Sequence, residues 1–296
     1  MIKLQTKKEI EQWLKKIDIT NYTIHENLTV DVHENVDLSN KNLIEIPISF
    51  NKINGNFHCY NNQLTSLEGC PKIIMGDFDC SYNQITNLES CPKIIIGYFI
   101  CTHNKLTTLN LLMTNIESHI DCSYNQIINL KDCPQEIKGD FNCSHNELTN
   151  LEGSPQKIKG AFNCSFNKLI NLKNSPQEIE QDFDCSHNQL ISLEGCIQKV
   201  YGDMNCSYNQ LTSLEYCPQE IQGEFDCSNN LINTLKFLPK KTKGEFDLSK
   251  NNLPKELINL LEQNKNKDLK IIETYYFREN LDVNLNKNSS NKRIKI

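Results

Sequence analysis

Fourteen cysteines in 296 residues bring three kinds of chemistry into question: thiolate catalysis, metal ligation and disulfide bonding. Nine of them, Cys59, Cys80, Cys101, Cys122, Cys143, Cys164, Cys185, Cys206 and Cys227, recur at a strict interval of 21 residues. The other five, Cys70, Cys91, Cys133, Cys196 and Cys217, each follow an anchor by eleven residues. Cys143-Ser-His145 and Cys185-Ser-His187 place an imidazole two residues from a thiol, the pairing a nucleophile and its base would need.

The sequence itself argues against all three. The 21-residue column ends in Leu38 and Leu248, so its slot accepts a pure hydrophobe. In other copies the second column holds Leu112, Ser154, Ser175 and Leu238, which neither ligate zinc nor form disulfides. No C-x-x-C pair occurs, and the opening MIKLQTKKEIEQWLKK reads as a helix rather than a secretory signal, pointing to a reducing, intracellular, cytoplasmic setting. Parallel strands spaced about 4.8 Å apart would bring neighbouring anchors within disulfide range, so distance alone does not decide. The thiols are therefore expected to be small buried hydrophobes, and each histidine to lie outside the core. No phosphate-cradling glycine loop, G-x-S-x-G, H-E-x-x-H or calcium loop is found, so no catalytic residue, metal or cofactor is expected.

The elements that position these residues follow from the period. Two before the anchor stands Phe57, Phe78, Phe99, Phe141, Phe162, Phe183, Phe225 or Phe246, with Val36, Ile120 and Met204 as variants. Asparagine lies three after it in ten of eleven copies, from Asn62 to Asn251, with Lys41 the exception. F-x-C is strand alternation, and a strand this short is stable only when paired with its copy in the next rung. The asparagine amide then sits at one corner of every rung, where it can satisfy turn groups otherwise buried. Ile53, Ile74, Ile95, Ile137 and Ile158 precede each strand, single glycines such as Gly76 and Gly97 mark a bend, and Pro71, Pro92 and Pro134 exclude a long helix on the return path.

The pattern I-x-x-x-F-x-C-S-x-N-x-L-x-x-L resembles a leucine-rich repeat in which cysteine and phenylalanine take some leucine slots. Its period and return-side proline are similar to the short repeats of bacterial effectors. The whole arrangement, including EIEQWLKKIDITNYTIHENLTVDV, resembles asparagine-rich repeat proteins of giant amoeba-infecting viruses and some large phages, over roughly residues 1 to 265. The resemblance implies a leucine-rich-repeat solenoid, a horseshoe or arc of parallel β rungs with irregular return segments, used for binding protein partners. It implies a viral protein acting inside its host.

The expected organisation is an N-terminal cap over 1–31, eleven repeats over 32–253, a C-terminal cap over 254–279 and a disordered basic tail over 280–296. Thr6-Lys-Lys-Glu9 is a capping box, followed by a helical apolar face at Ile10, Trp13, Leu14 and Ile17. A helix starting at Pro254 is expected to cover the other end. No run approaches the roughly 20 apolar residues of a membrane span.

Three columns are expected on the exposed face. Asp77, Asp140, Asp182 and Asp203 stand three before the anchor, and Asp79, Asp121 and Asp184 one before it. Two after it run Tyr82, His103, Tyr124, His145, Phe166, His187 and Tyr208, a row that serves either to stack the ladder or to meet a partner. Net charge is −6 overall, and the residues from 281 contribute +3, leaving −9 on residues 1–280. Such a face is unsuited to nucleic acid. The site expectation is that Asp77, Asp79, Tyr82, Asp121, Tyr124, Asp140, His145, Asp182, Asp184, His187 and Asp203 contact a protein partner, a basic segment of a host protein. Two rival readings are a self-associating structural component, since the sequence leaves the oligomeric state open, and an effector-type ubiquitin ligase, for which about 40 residues beyond the repeats are too few.

Overall fold

A computed structural model describes residues 3–111, 114–257 and 259. Eleven two-residue strands, from Val36–Asp37 through Phe141–Asn142 to Phe246–Asp247, form one all-parallel sheet in chain order. Each strand pairs with the residue 21 positions on, as Phe141 does with Phe162 and Asn142 with Asn163. The chain is a parallel-β solenoid.

The isoleucine column does more than approach the strand. It forms a second line of parallel strands, separated from the first line by three residues and broken into three sheets. Ile53, Ile74, Ile95 and Ile116 pair in series there, and Ile137, Ile158 and Ile179 form the next group. The rung therefore bends between two short strands. On the outer side of this second line the residues alternate in sign, Glu136, Lys157, Glu178, Lys199, Glu220, Lys241. Lys157 pairs with Glu178 at 2.7 Å and Lys241 with Glu220 at 3.1 Å. Such exposed pairs add little stability, but a strand slipped by one rung would set like charges together.

Between the two lines and the return segment lies one continuous core. Phe141, Phe162 and Phe183 stack at 5.7 and 5.5 Å, and the anchor cysteines beside them are fully buried. All fourteen cysteines are free thiols. Burial pushes the pKa of thirteen of them up, that of Cys91 to about 12, so these stay protonated thiols rather than nucleophilic thiolates near pH 7. Native protein should react slowly with a thiol reagent, first at the partly exposed Cys70 and Cys91, and should titrate all 14 groups once denatured without reductant. Any shortfall after denaturation would mean disulfides and would overturn the reduced core.

The asparagine corner holds rungs together. Asn146 accepts from the Ile127 amide at 3.0 Å and donates to the carbonyls of Cys122, Cys143 and Ser144 at 3.1, 3.1 and 3.0 Å. The same set recurs at Asn83, Asn104, Asn125, Asn167, Asn188, Asn209 and Asn230. At the N-terminal end helix α1, Lys7–Lys16, starts at the Thr6–Glu9 capping box and buries Ile10 and Leu14, with Trp13 set 6.3 Å from Phe50. At the other end Leu257 donates to the Pro254 carbonyl and is buried. The rest of the expected C-terminal cap and the tail over 280–296 lie outside the described residues.

Candidate partner-binding face

The position two after each anchor ends the strand and turns the chain. There the backbone adopts φ of 51 to 54° in Tyr82, His103, Tyr124, His145, Phe166, His187 and Tyr208. This left-handed region favours glycine or asparagine, because a Cβ crowds the following carbonyl. The same column indeed reads Asn40, Asn61 and Asn229 nearer its ends. The seven rings form an unbroken stack, with centroids 4.0 to 4.3 Å apart and planes within 19° of parallel.

Beside the stack runs an open groove of about 760 Å³, lined by His103, Tyr124, His145, Phe166 and His187, by Gln126 and Glu147, and by the corner residues Asn104, Asn125, Asn146 and Asn167. Tyr82, Tyr124, His145 and His187, expected from sequence as contact residues, all belong to the stack. His103, Phe166 and Tyr208 belong to it equally, and their shared register was the signal that marks them.

The aspartates do not border the groove. They lie on its strand side and are already engaged through one oxygen. Oδ1 of Asp79 accepts from the Ser81 amide at 2.9 Å and hydroxyl at 2.6 Å, and Asp121 and Asp184 hold the Ser123 and Ser186 amides in the same way. Asn142, Asn163 and Asn205 do so in rungs that lack the acid.

Asp77, Asp140, Asp182 and Asp203 instead bind the next rung, accepting from the amides of Tyr98, Ala161, Asp203 and Glu224 at 2.7 to 2.8 Å. Oδ2 of Asp140 also meets His119 Nδ1 at 3.0 Å. These carboxylates explain the corner glycine. A Cβ on Gly160 would fall 2.0 Å from Asp140 Oδ1, and one on Gly97 2.1 Å from Asp77 Oδ1. Where the preceding rung carries Tyr98 or Ala161 in place of the acid, the glycine is replaced by Ser118 or Gln181.

Among the described residues no group of three histidine, cysteine, aspartate or glutamate side chains is arranged to hold a metal ion, and no helix is long and apolar enough to cross a membrane.

No protein-family model matches the chain, and no curated protein matches it. Solved structures do. YopM from Yersinia enterocolitica WA-314 aligns at 18% identity with a TM-score of 0.41, over 74% of this chain and 65% of that one, so the match spans just under two thirds of YopM. The leucine-rich repeat domain of APL1B aligns at 16% identity with a TM-score of 0.48, over 88% of this chain and 92% of that one.

Proposed function

We propose that the protein is a non-enzymatic binding scaffold whose aromatic stack and flanking aspartates receive an extended basic segment of a protein partner. The observation that carries this is the choice of aromatic residues at left-handed positions. One ring stack contributes about 0.5–1.5 kcal/mol, while one left-handed side chain of this kind costs about 1–2 kcal/mol. Stacking therefore does not outweigh the backbone cost. Asparagine fills the same column without that cost, and Asn61 donates to Asn40 Oδ1 at 2.5 Å, giving a polar ladder instead. Stability alone would favour asparagine throughout, so the seven rings are accounted for by what they present to a partner.

The aspartates contribute mainly to association rate and selectivity, as rim charges do. The test exploits the rungs that already carry asparagine. Asp79→Asn, Asp121→Asn and Asp184→Asn keep the amide oxygen that holds the serine and remove only charge. Together they should leave the melting midpoint unchanged, slow association with an extended lysine- and arginine-containing peptide by about tenfold at low salt, and flatten its salt dependence. Glu68→Gln, Glu89→Gln and Glu152→Gln, on the return side, should do neither. Equal effects from the two sets would reduce the aspartate rows to solvated surface.

A further inference from the structure

The stack is not uniform along its outer edge. Six-membered rings alternate with imidazoles, and exposure alternates with them. Tyr82, Tyr124, Phe166 and Tyr208 are 54, 45, 42 and 48% exposed, whereas His103, His145 and His187 are only half-buried intermediates between them. The larger rings overhang, and each imidazole forms the floor of a notch walled by two aromatic faces.

The dimensions of that notch select its occupant. Its walls are two stacking intervals apart, each interval 4.0 to 4.3 Å. Subtracting about 3.5 Å of ring thickness leaves a slot of roughly 4.5–5 Å, wide enough for one flat group in contact with both walls. A planar cation lying on the imidazole edge sits between the overhanging rims of two aromatic rings at once, near the about 6 Å limit for cation–π attraction. The guanidinium group is flat, weakly hydrated and stacks on aromatic rings, whereas an ammonium is a compact, strongly hydrated charge. The floor suits it too. Burial, and then the nearby His187 and His103, lower the pKa of His145, so this imidazole is neutral at pH 7 and has a ring nitrogen free to accept an N–H. The Glu147 carboxylate, paired with Lys168, borders the same groove.

We infer that the three histidine notches are arginine-binding subsites, each taking one guanidinium between two aromatic rings, so that the partner segment is arginine-rich rather than merely basic. This rests on the partner-binding reading of the face and specifies its ligand. The notches lie about 8 Å apart along the solenoid. An extended chain presents same-side residues every roughly 6.8 Å, a difference that the long arginine side chain absorbs.

The experiment compares capped glycine peptides carrying either arginines or lysines at alternate positions, titrated against the full chain. The expected result is that the arginine peptide binds about tenfold more tightly or better. The triple variant His103→Phe, His145→Phe and His187→Phe fills every notch with a ring already used at Phe166. It should erase the arginine preference, so that the two peptides bind the variant equally. Tyr124→Asn removes the wall shared by two notches, and it installs the residue the column uses at Asn40, Asn61 and Asn229, so it should reduce the preference without loss of folding. Equal affinity for the two peptides, lowered by the Asp79, Asp121 and Asp184 substitutions, would overturn the notches and leave the acidic face standing. If neither peptide binds, both the notches and the basic-segment reading of the face are overturned.

Discussion

Asn146→Leu is expected to destabilise the protein by about 2–5 kcal/mol, and the size follows from which partners are orphaned. The Ile127 amide loses its acceptor outright. The carbonyls lose less, because each is doubly served. Cys122 still receives Asn125, Cys143 still receives Asn167, and Ser144 still receives the Tyr124 amide. One buried donor without a partner costs about 1–3 kcal/mol, and three weakened acceptors add the remainder. Asn146→Asp, though equal in shape, should be at least as damaging. It would turn an amide that donates to three carbonyls into a buried charge facing their oxygens. Thermal or denaturant unfolding of both variants measures this. A midpoint unchanged in either one would sink the asparagine ladder as a source of stability.

Gly160→Ala is the second substitution with a large expected effect, about 2–4 kcal/mol, of the order of the overpacking penalties seen in dense cores. Its Cβ would meet not only Asp140 Oδ1 at 2.0 Å but also the Asp140 nitrogen and the Gly139 carbonyl carbon at 2.6 Å, and backbone cannot rotate away. The protein contains its own rescue. Gln181 occupies the glycine position directly after Ala161, where no carboxylate projects. Combining Asp140→Ala with Gly160→Gln copies that pair and should recover part of the loss. The double variant is therefore predicted to be less destabilised than the sum of the two single ones, a coupling that unfolding midpoints can read. Strict additivity would show that the carboxylate is not what demands the glycine.

The columns that face inward were legible from sequence because their chemistry is narrow. Phe162, Cys164, Asn167 and Leu169 each occupy a slot that admits few side chains, so the period, the strand and the buried corner could be read directly. The second strand line was not. Only two residues per rung pair there, and the outward one varies from Ile73 to Glu136 to Lys157, which hides the alternation. Outward columns were legible in position but not in role. Alternation says that Asp77 and Asp79 face away from the core; it does not say that one oxygen of each is spent on a backbone amide. The left-handed turn beneath the ring stack was masked by the rings themselves, since aromatic residues seldom adopt it. Asn40, Asn61 and Asn229 at the same register were the available clue.

Core and surface of this solenoid keep different periods. Phenylalanine, cysteine and asparagine return every 21 residues, but the long and short rings of the stack, and the glutamate and lysine of the second strand line, return only every second rung. A duplication or loss of 21 residues would preserve every buried contact and yet place two tyrosines, or two lysines, side by side on the outside. Forty-two residues, twice the core repeat, is thus the smallest unit by which the array can lengthen or shorten with its notches and charge order intact. Folding counts single rungs in this chain, and recognition counts pairs.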